Sequence, residues 1–222
     1  MKIQQCNSLS MNNGPSFKGK VTKNVENFIK YQAKKEVDVL VSRANYKETI
    51  IDLDAVKLIK DKWNVVLENL KESMSKTHKD SRLNVYPDSY WGPGGYAVQY
   101  SNSRLPYGSI HRTPTRDLER VLDILKEMAT PDSDSALLNK SVRNLEEGAI
   151  LRTTKLNQFI TKHRAKKAEK FAREINSDKL NIVENIKQRI DEVNKKQALE
   201  KQNKQLAENA LEIKRNGWCI TI

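Results

Sequence analysis

Residues 82–113 hold three of the chain's six prolines, four of its eight glycines and five of its seven tyrosines, and sequence with a helical period flanks them on both sides. Gly and Pro punctuate chains, while aromatic and β-branched residues favour strands, so this stretch must carry the chain's clearest β-structure. Within it, residues 96–100 (Tyr-Ala-Val-Gln-Tyr) read as a strand. Residues 83–86 read as its antiparallel mate across the Pro-Asp-Ser-Tyr-Trp-Gly-Pro-Gly-Gly loop. A sheet this short is stable only when helices cover it.

Helices are available to do so. Val56, Ile59, Trp63, Val66, Leu67, Leu70 and Met74 recur with a 3.6-residue period, which predicts a helix over residues 54–76 with Asp54 as N-cap and Trp63 in the core. Val21, Val25, Phe28 and Ile29 predict a shorter one over residues 21–35. Leu118, Val121, Leu122, Leu125 and Met128 predict a third, opened by Thr115 and ended before Thr130-Pro131. Residues 37–41 and 50–53 alternate and are β-branched, so they read as two further strands turning at 43–47, with a continuous helix as the competing reading.

The expected fold class is therefore α+β: a small antiparallel sheet packed with helices, followed by a long α-helical C-terminal arm. The division runs as a disordered tail (1–20), an α+β domain (21–130), a helical arm (132–216) and an apolar C-terminal tail (217–222). Pro131 marks the boundary, because it interrupts the preceding helix. Within the arm, Ser133 or Ser135 caps a helix that Gly148 interrupts or ends, helix resumes at residue 150, and Ser177-Asp178 breaks it again. A strict heptad begun at Leu180 meets Lys187, Asn194, Gln197, Lys201 and Lys204, which gives little support to a long coiled coil. The stripe Ile182, Ile186, Ile190 and Val193 still needs cover, either from residues 156–171 in a helical hairpin or from a second chain.

Composition agrees with a core confined to part of the chain. Hydrophobic residues make up 37% and charged residues 31%, against roughly 45–50% and 25% in ordinary globular domains. No apolar run approaches the roughly 18 residues of a membrane helix, and the first 20 residues lack a signal-peptide core, so a cytoplasmic location is expected. Cys6 and Cys219 stand near opposite ends and are read as free thiols. The last four residues, Cys219-Ile220-Thr221-Ile222, fit a C-a-a-X pattern only loosely and read instead as an apolar end.

Forty Lys and Arg against 28 Asp and Glu give +12, and the excess is local. Residues 150–175 alone carry eight basic and two acidic side chains, half of the net charge. At about 100° per residue, Arg152, Lys155, Lys162, Lys166, Lys170 and Arg173 fall on one helical arc, with Leu156, Phe159, Ile160 and Phe171 beside them. Such a face suits an acidic protein or nucleic-acid phosphates, and its bland alternative is a solvated lysine-rich surface. Tyr90, Trp91, Tyr96 and Tyr100 form a second candidate, an aromatic contact surface.

Catalytic and metal chemistry find no matching pattern. His78, His111 and His163 have no second His or Cys at a ligand spacing, and neither a P-loop nor a Gly-x-Ser-x-Gly element is present. No cofactor and no metal are expected. The function read from sequence is a non-enzymatic macromolecular interaction protein binding a partner through its basic helical arm. Two alternatives remain: a sequence-nonspecific nucleic-acid-associated protein, and an enzyme of unrecognised family with residues in the loop 86–112, whose sign would be a deep pocket converging on Tyr107, His111 and Arg112.

Overall fold

A computed structural model describes residues 18–47, 49–88 and 95–217, with the side chains of Thr113 and residues 213–217 excepted. The N-terminal tail up to residue 17, the loop holding Tyr90 and Trp91, and the apolar C-terminal end lie outside the described residues. The fold is α+β. In chain order the elements are β1 (Lys20–Val21), α1 (Lys23–Tyr46), α2 (Leu53–Ser75), β2 (Ser81–Pro87), β3 (Tyr96–Asn102) and β4 (Ser109–Thr115). Then come α3 (Leu118–Met128), α4 (Pro131–Leu151), α5 (Lys155–Glu174) and α6 (Ile182–Gly217).

The sheet has the order β1-β2-β3-β4. β2 and β3 pair antiparallel with Val85 opposite Val98, and β4 continues the antiparallel run with Tyr100 opposite Ile110. Only the two-residue β1 is parallel to its neighbour, with Val21 opposite Leu83, so the sheet is mixed at that edge.

The expected strands at 37–41 and 50–53 are not formed. Residues 37–41 lie inside α1, residues 50–52 have no regular structure, and Leu53 begins α2. Val37, Leu40, Val41 and Ala44 also stand at i, i+3, i+4 and i+7, a helical stripe of their own about 120° around from that of Val25, Phe28, Ile29 and Gln32. One uninterrupted hydrogen-bonded helix then outweighs β-branched preference, which is a weak prior.

Caps differ from expectation by small, explicable shifts. Asp52 rather than Asp54 caps α2, its carboxylate accepting the N–H groups of Asp54 and Ala55. Asp117 rather than Thr115 caps α3, accepting from Glu119 and Arg120, while Thr115 ends β4. Gly148 neither breaks nor ends α4: a Cβ there would meet nothing within 4 Å, so the glycine costs only its propensity, about 1 kcal/mol. Helix resumes at Lys155, not at residue 150. The break at 177–178 is present, between Glu174 and Ile182, with Asn176 in the left-handed region at φ 52°.

Two compact units result, and their division falls inside α4, between Leu137 and Leu138. The first comprises the described residues up to Arg104 with Gly108–Leu137 and Glu174–Asn176. Its buried apolar residues include Val25, Phe28 and Ile29 of α1, Trp63, Leu67, Leu70 and Met74 of α2, Leu83, Val85 and Val98 of the sheet, and Val121, Leu125 and Met128 of α3. Each large side chain so buried contributes about 1.5–3 kcal/mol, which accounts for the sheet having helical cover.

The second unit comprises Leu105–Tyr107, Leu138–Arg173 and the described residues from Ser177. Its buried apolar residues include Leu105, which precedes α4 in the chain, Leu138, Leu145 and Ala149 of α4, Ala165, Ala168, Phe171 and Ala172 of α5, and Ile182, Ile186 and Ile190 of α6. α5 and α6 run antiparallel: Gln158 Nε2 donates to Asn194 Oδ1 at 2.7 Å, and the Val183 N–H donates to Glu169 Oε2 at 2.9 Å. The isoleucine stripe is thus covered within the chain.

Candidate interaction surface

The most ordered chemistry in the first unit is a polar cluster that no local pattern announced. Asp134, in the first turn of α4, accepts three hydrogen bonds: from the His78 N–H at 2.8 Å, the Ser81 hydroxyl at 2.6 Å and the Tyr100 hydroxyl at 2.8 Å. Burial, together with the adjacent Asp134 charge, pushes the Tyr100 phenol well above its usual pKa. The Asp80 N–H donates to His78 Nδ1 at 3.2 Å, which leaves the proton on Nε2. Nε2 therefore donates to Glu174 Oε2 at 2.7 Å.

Arg104 closes the cluster. Its Nη1 lies 3.2 Å from Glu174 Oε2, and its Nε contacts Asp80 Oδ2. His78, Ser81, Tyr100, Asn102 and Asp134 are all buried, whereas Asp80, Arg104 and Glu174 are partly exposed and form the outer edge of the network. It ties β2, β3 and the start of α4 together.

That burial removes Tyr100 from the candidate aromatic surface. Tyr96 is half-buried and packs edge-on against Phe28, ring centroids 4.8 Å apart. Tyr90 and Trp91 lie outside the described residues. His111 sits on an exposed part of β4, where its ring meets the Tyr86 hydroxyl at 3.0 Å. Elsewhere in the unit, Trp63 is buried as expected, and its indole N–H donates to Glu36 Oε2 at 2.6 Å. That bond, with help from Lys62, holds the Glu36 carboxyl below its usual pKa. No group of three or more His, Cys, Asp or Glu able to hold a metal occurs among the described residues.

The basic set of the arm is brought together on α5, with one exception. Arg152 lies in the link between α4 and α5, so it does not share the helical face of the other five. Lys155, Lys166, Lys170 and Arg173 are exposed and Lys162 is half-buried. Among the described residues no carboxylate pairs with Lys155, Lys162, Lys166 or Lys170, whereas Glu169 holds Arg173 at 2.6 Å. Among the described residues, four ammonium groups without a carboxylate partner therefore stand along about four turns of helix.

The neighbouring apolar side chains are not arranged as the sequence suggested. Leu156 and Phe159 do not dock on protein: each is 69% exposed. The interior face of α5 is instead Thr161, Ala165, Ala168, Phe171 and Ala172. At about 100° per residue, Phe159 falls between Lys166 and Lys170, with Leu156 immediately beyond. Leu151, at the end of α4, is 79% exposed. The second unit thus presents a mixed surface: apolar side chains set among unpaired cations.

The chain matches no protein-family model, no curated protein and no solved structure. No helix among the described residues is long and apolar enough to cross a membrane.

Proposed function

We propose that the chain is a non-enzymatic interaction protein that binds an acidic macromolecular partner through the outward face of α5. The observation that carries this reading is the exposure of Phe159 and Leu156 within a face holding four unpaired lysines. A merely solvated lysine face has no reason to hold large apolar groups in water, whereas interface centres combine apolar anchors with a charged rim. The lysines would set encounter rate and orientation, and the apolar pair would supply affinity once water is expelled.

An acidic protein surface is favoured over nucleic acid because Leu156, one of the two exposed anchors, is aliphatic. Aliphatic side chains bury well against protein but offer no ring on which a base stacks. The test is a pair of fluorescence-anisotropy titrations of the full chain, against a labelled duplex DNA and against a labelled acidic amphipathic peptide rich in Glu and Leu. For the peptide, both Leu156→Ser/Phe159→Ser and Lys155→Gln/Lys162→Gln/Lys166→Gln should weaken binding at least tenfold. Tighter binding of the DNA, insensitive to the Ser variant, would transfer the surface to nucleic acid. Binding of neither at low salt would return it to a solvated face.

A further inference from the structure

α6 is longer than the hairpin that it forms. The pairs Gln158–Asn194 and Glu169–Val183 fix its antiparallel register on α5, and by that register residues beyond Gln197 run past the first residue of α5. Every described side chain from Ala198 to Glu212 is exposed. Over those 15 residues, about 22 Å of helix, no described side chain is covered by a neighbour. An isolated helix of this length is marginal in water, and its three exposed leucines, Leu199, Leu206 and Leu211, make the exposure more costly.

Leu199 and Leu206 stand seven residues apart, and the next position in that series is Ile213. Placing them at d puts Lys196, Asn203 and Ala210 at a, Lys195 at g and Glu200 at e. This register differs from the one begun at Leu180, which fails at Lys187 and Asn194. At about 100° per residue, the new seam lies roughly 130° around the helix from Ile182, Ile186 and Ile190. The hairpin contact therefore leaves the seam open.

We infer that residues 195–213 of α6 pair with the same segment of a second copy of this chain as a parallel, in-register two-stranded coiled coil. The seam identifies its own occupant. In a parallel dimer Asn203 at a faces Asn203 of the second copy, and each side-chain amide satisfies the other; in an antiparallel pair it would face an apolar d residue. In the parallel register, too, Lys195 at g meets Glu200 at e of the other copy, giving two opposite-charge pairs per dimer. The seam is short and its a positions are weak, so association is reversible and concentration-dependent. It uses a face separate from the α5 surface and holds whatever partner that surface takes.

Sedimentation equilibrium of the full chain, with Cys6 and Cys219 replaced by Ser, tests this. The weight-average mass should rise from that of one chain toward two with concentration. Leu199→Asp/Leu206→Asp should hold it at one chain with unchanged circular dichroism of the body. Lys195→Glu should weaken association severalfold, and adding Glu200→Lys should restore it, a rescue that nonspecific stickiness does not give. Asn203→Cys should cross-link under mild oxidation, while Lys204→Cys, facing away from the seam, should not. A single-chain mass at all concentrations, or association untouched by the two Asp substitutions, would overturn the inference.

Discussion

Both units of this chain have apolar cores, and they differ in what accompanies them. In the first, the interior between β2, β3 and the start of α4 is polar, and Asp134 alone gathers three donors from His78, Ser81 and Tyr100. In the second, α5 buries Ala165, Ala168 and Ala172, small side chains that bring helices close and carry no directional bonds. A polar interior is costly to break, because each abandoned group keeps its desolvation penalty. An alanine-lined one is tolerant, and it leaves the charged and apolar chemistry of its helices outside, free for partners.

The sharpest way to break this contrast is Asp134→Ala. It strands two hydroxyls and one backbone N–H in the interior, at about 1–3 kcal/mol each. A loss of at least about 3 kcal/mol in urea unfolding is expected. A loss under 1 kcal/mol would mean that water replaces the carboxylate and that the cluster is not what fixes the sheet.

A second substitution probes the same unit from its edge strand. The Lys18 and Gly19 N–H groups both donate to the Thr77 carbonyl, at 3.0 and 3.1 Å. A Cβ on Gly19 would lie 1.9 Å from Thr77 Oγ1 and 2.8 Å from the Met74 carbonyl oxygen. The hydroxyl can turn away but the backbone carbonyl cannot, so Gly19→Ala should cost about 2 kcal/mol. Protection of the Thr22 amide against hydrogen exchange, which depends on its bond to Leu83, should fall with it.

Tyr100→Phe is milder and adds a pH signature. The lost bond to a carboxylate is worth about 1.5 kcal/mol near neutrality. The folded phenol has a raised pKa, from burial first and the Asp134 charge second. Its stabilising share is therefore complete below the unfolded value of 10 and drains away as pH rises beyond it. The parent should lose about 1.4 kcal/mol per pH unit above that point relative to the Phe variant. Parallel alkaline unfolding curves for the two proteins would show that Tyr100 ionises as easily folded as unfolded.

How much of this was legible in the sequence follows the same division. Period carried well: the α2 stripe, the β2–β3 pair and the isoleucines of α6 stand where spacing placed them, because apolar periodicity is what burial acts on. The polar cluster was illegible, since His78 meets Asp134 and Glu174 only across sequence separations of 56 and 96. Strand propensity misled at residues 37–41, where Val37, Leu40, Val41 and Ala44 also satisfied a helical period. Leu156 and Phe159 misled more usefully: their class said core, and only the alanine face of α5 shows why they are left outside.

The smallest stability effect belongs to the surface that the functional proposal depends on. Lys155, Lys162 and Lys166 make no ion pair among the described residues and lie off the buried face of α5, so replacing all three with Gln should change unfolding free energy by no more than about 0.5 kcal/mol. The same substitutions should act strongly on any electrostatic binding. With Arg152 off the helical face, the stripe on α5 offers at most five contacts, and at about −0.9 per phosphate on duplex DNA the slope of log K against log salt should be no steeper than about −4.5 from this stripe. The triple variant should flatten it by about 2.7. A stability loss well beyond 0.5 kcal/mol would place these lysines in the fold of the second unit, and an unchanged slope would show that the cations of α5 do not meet the phosphates.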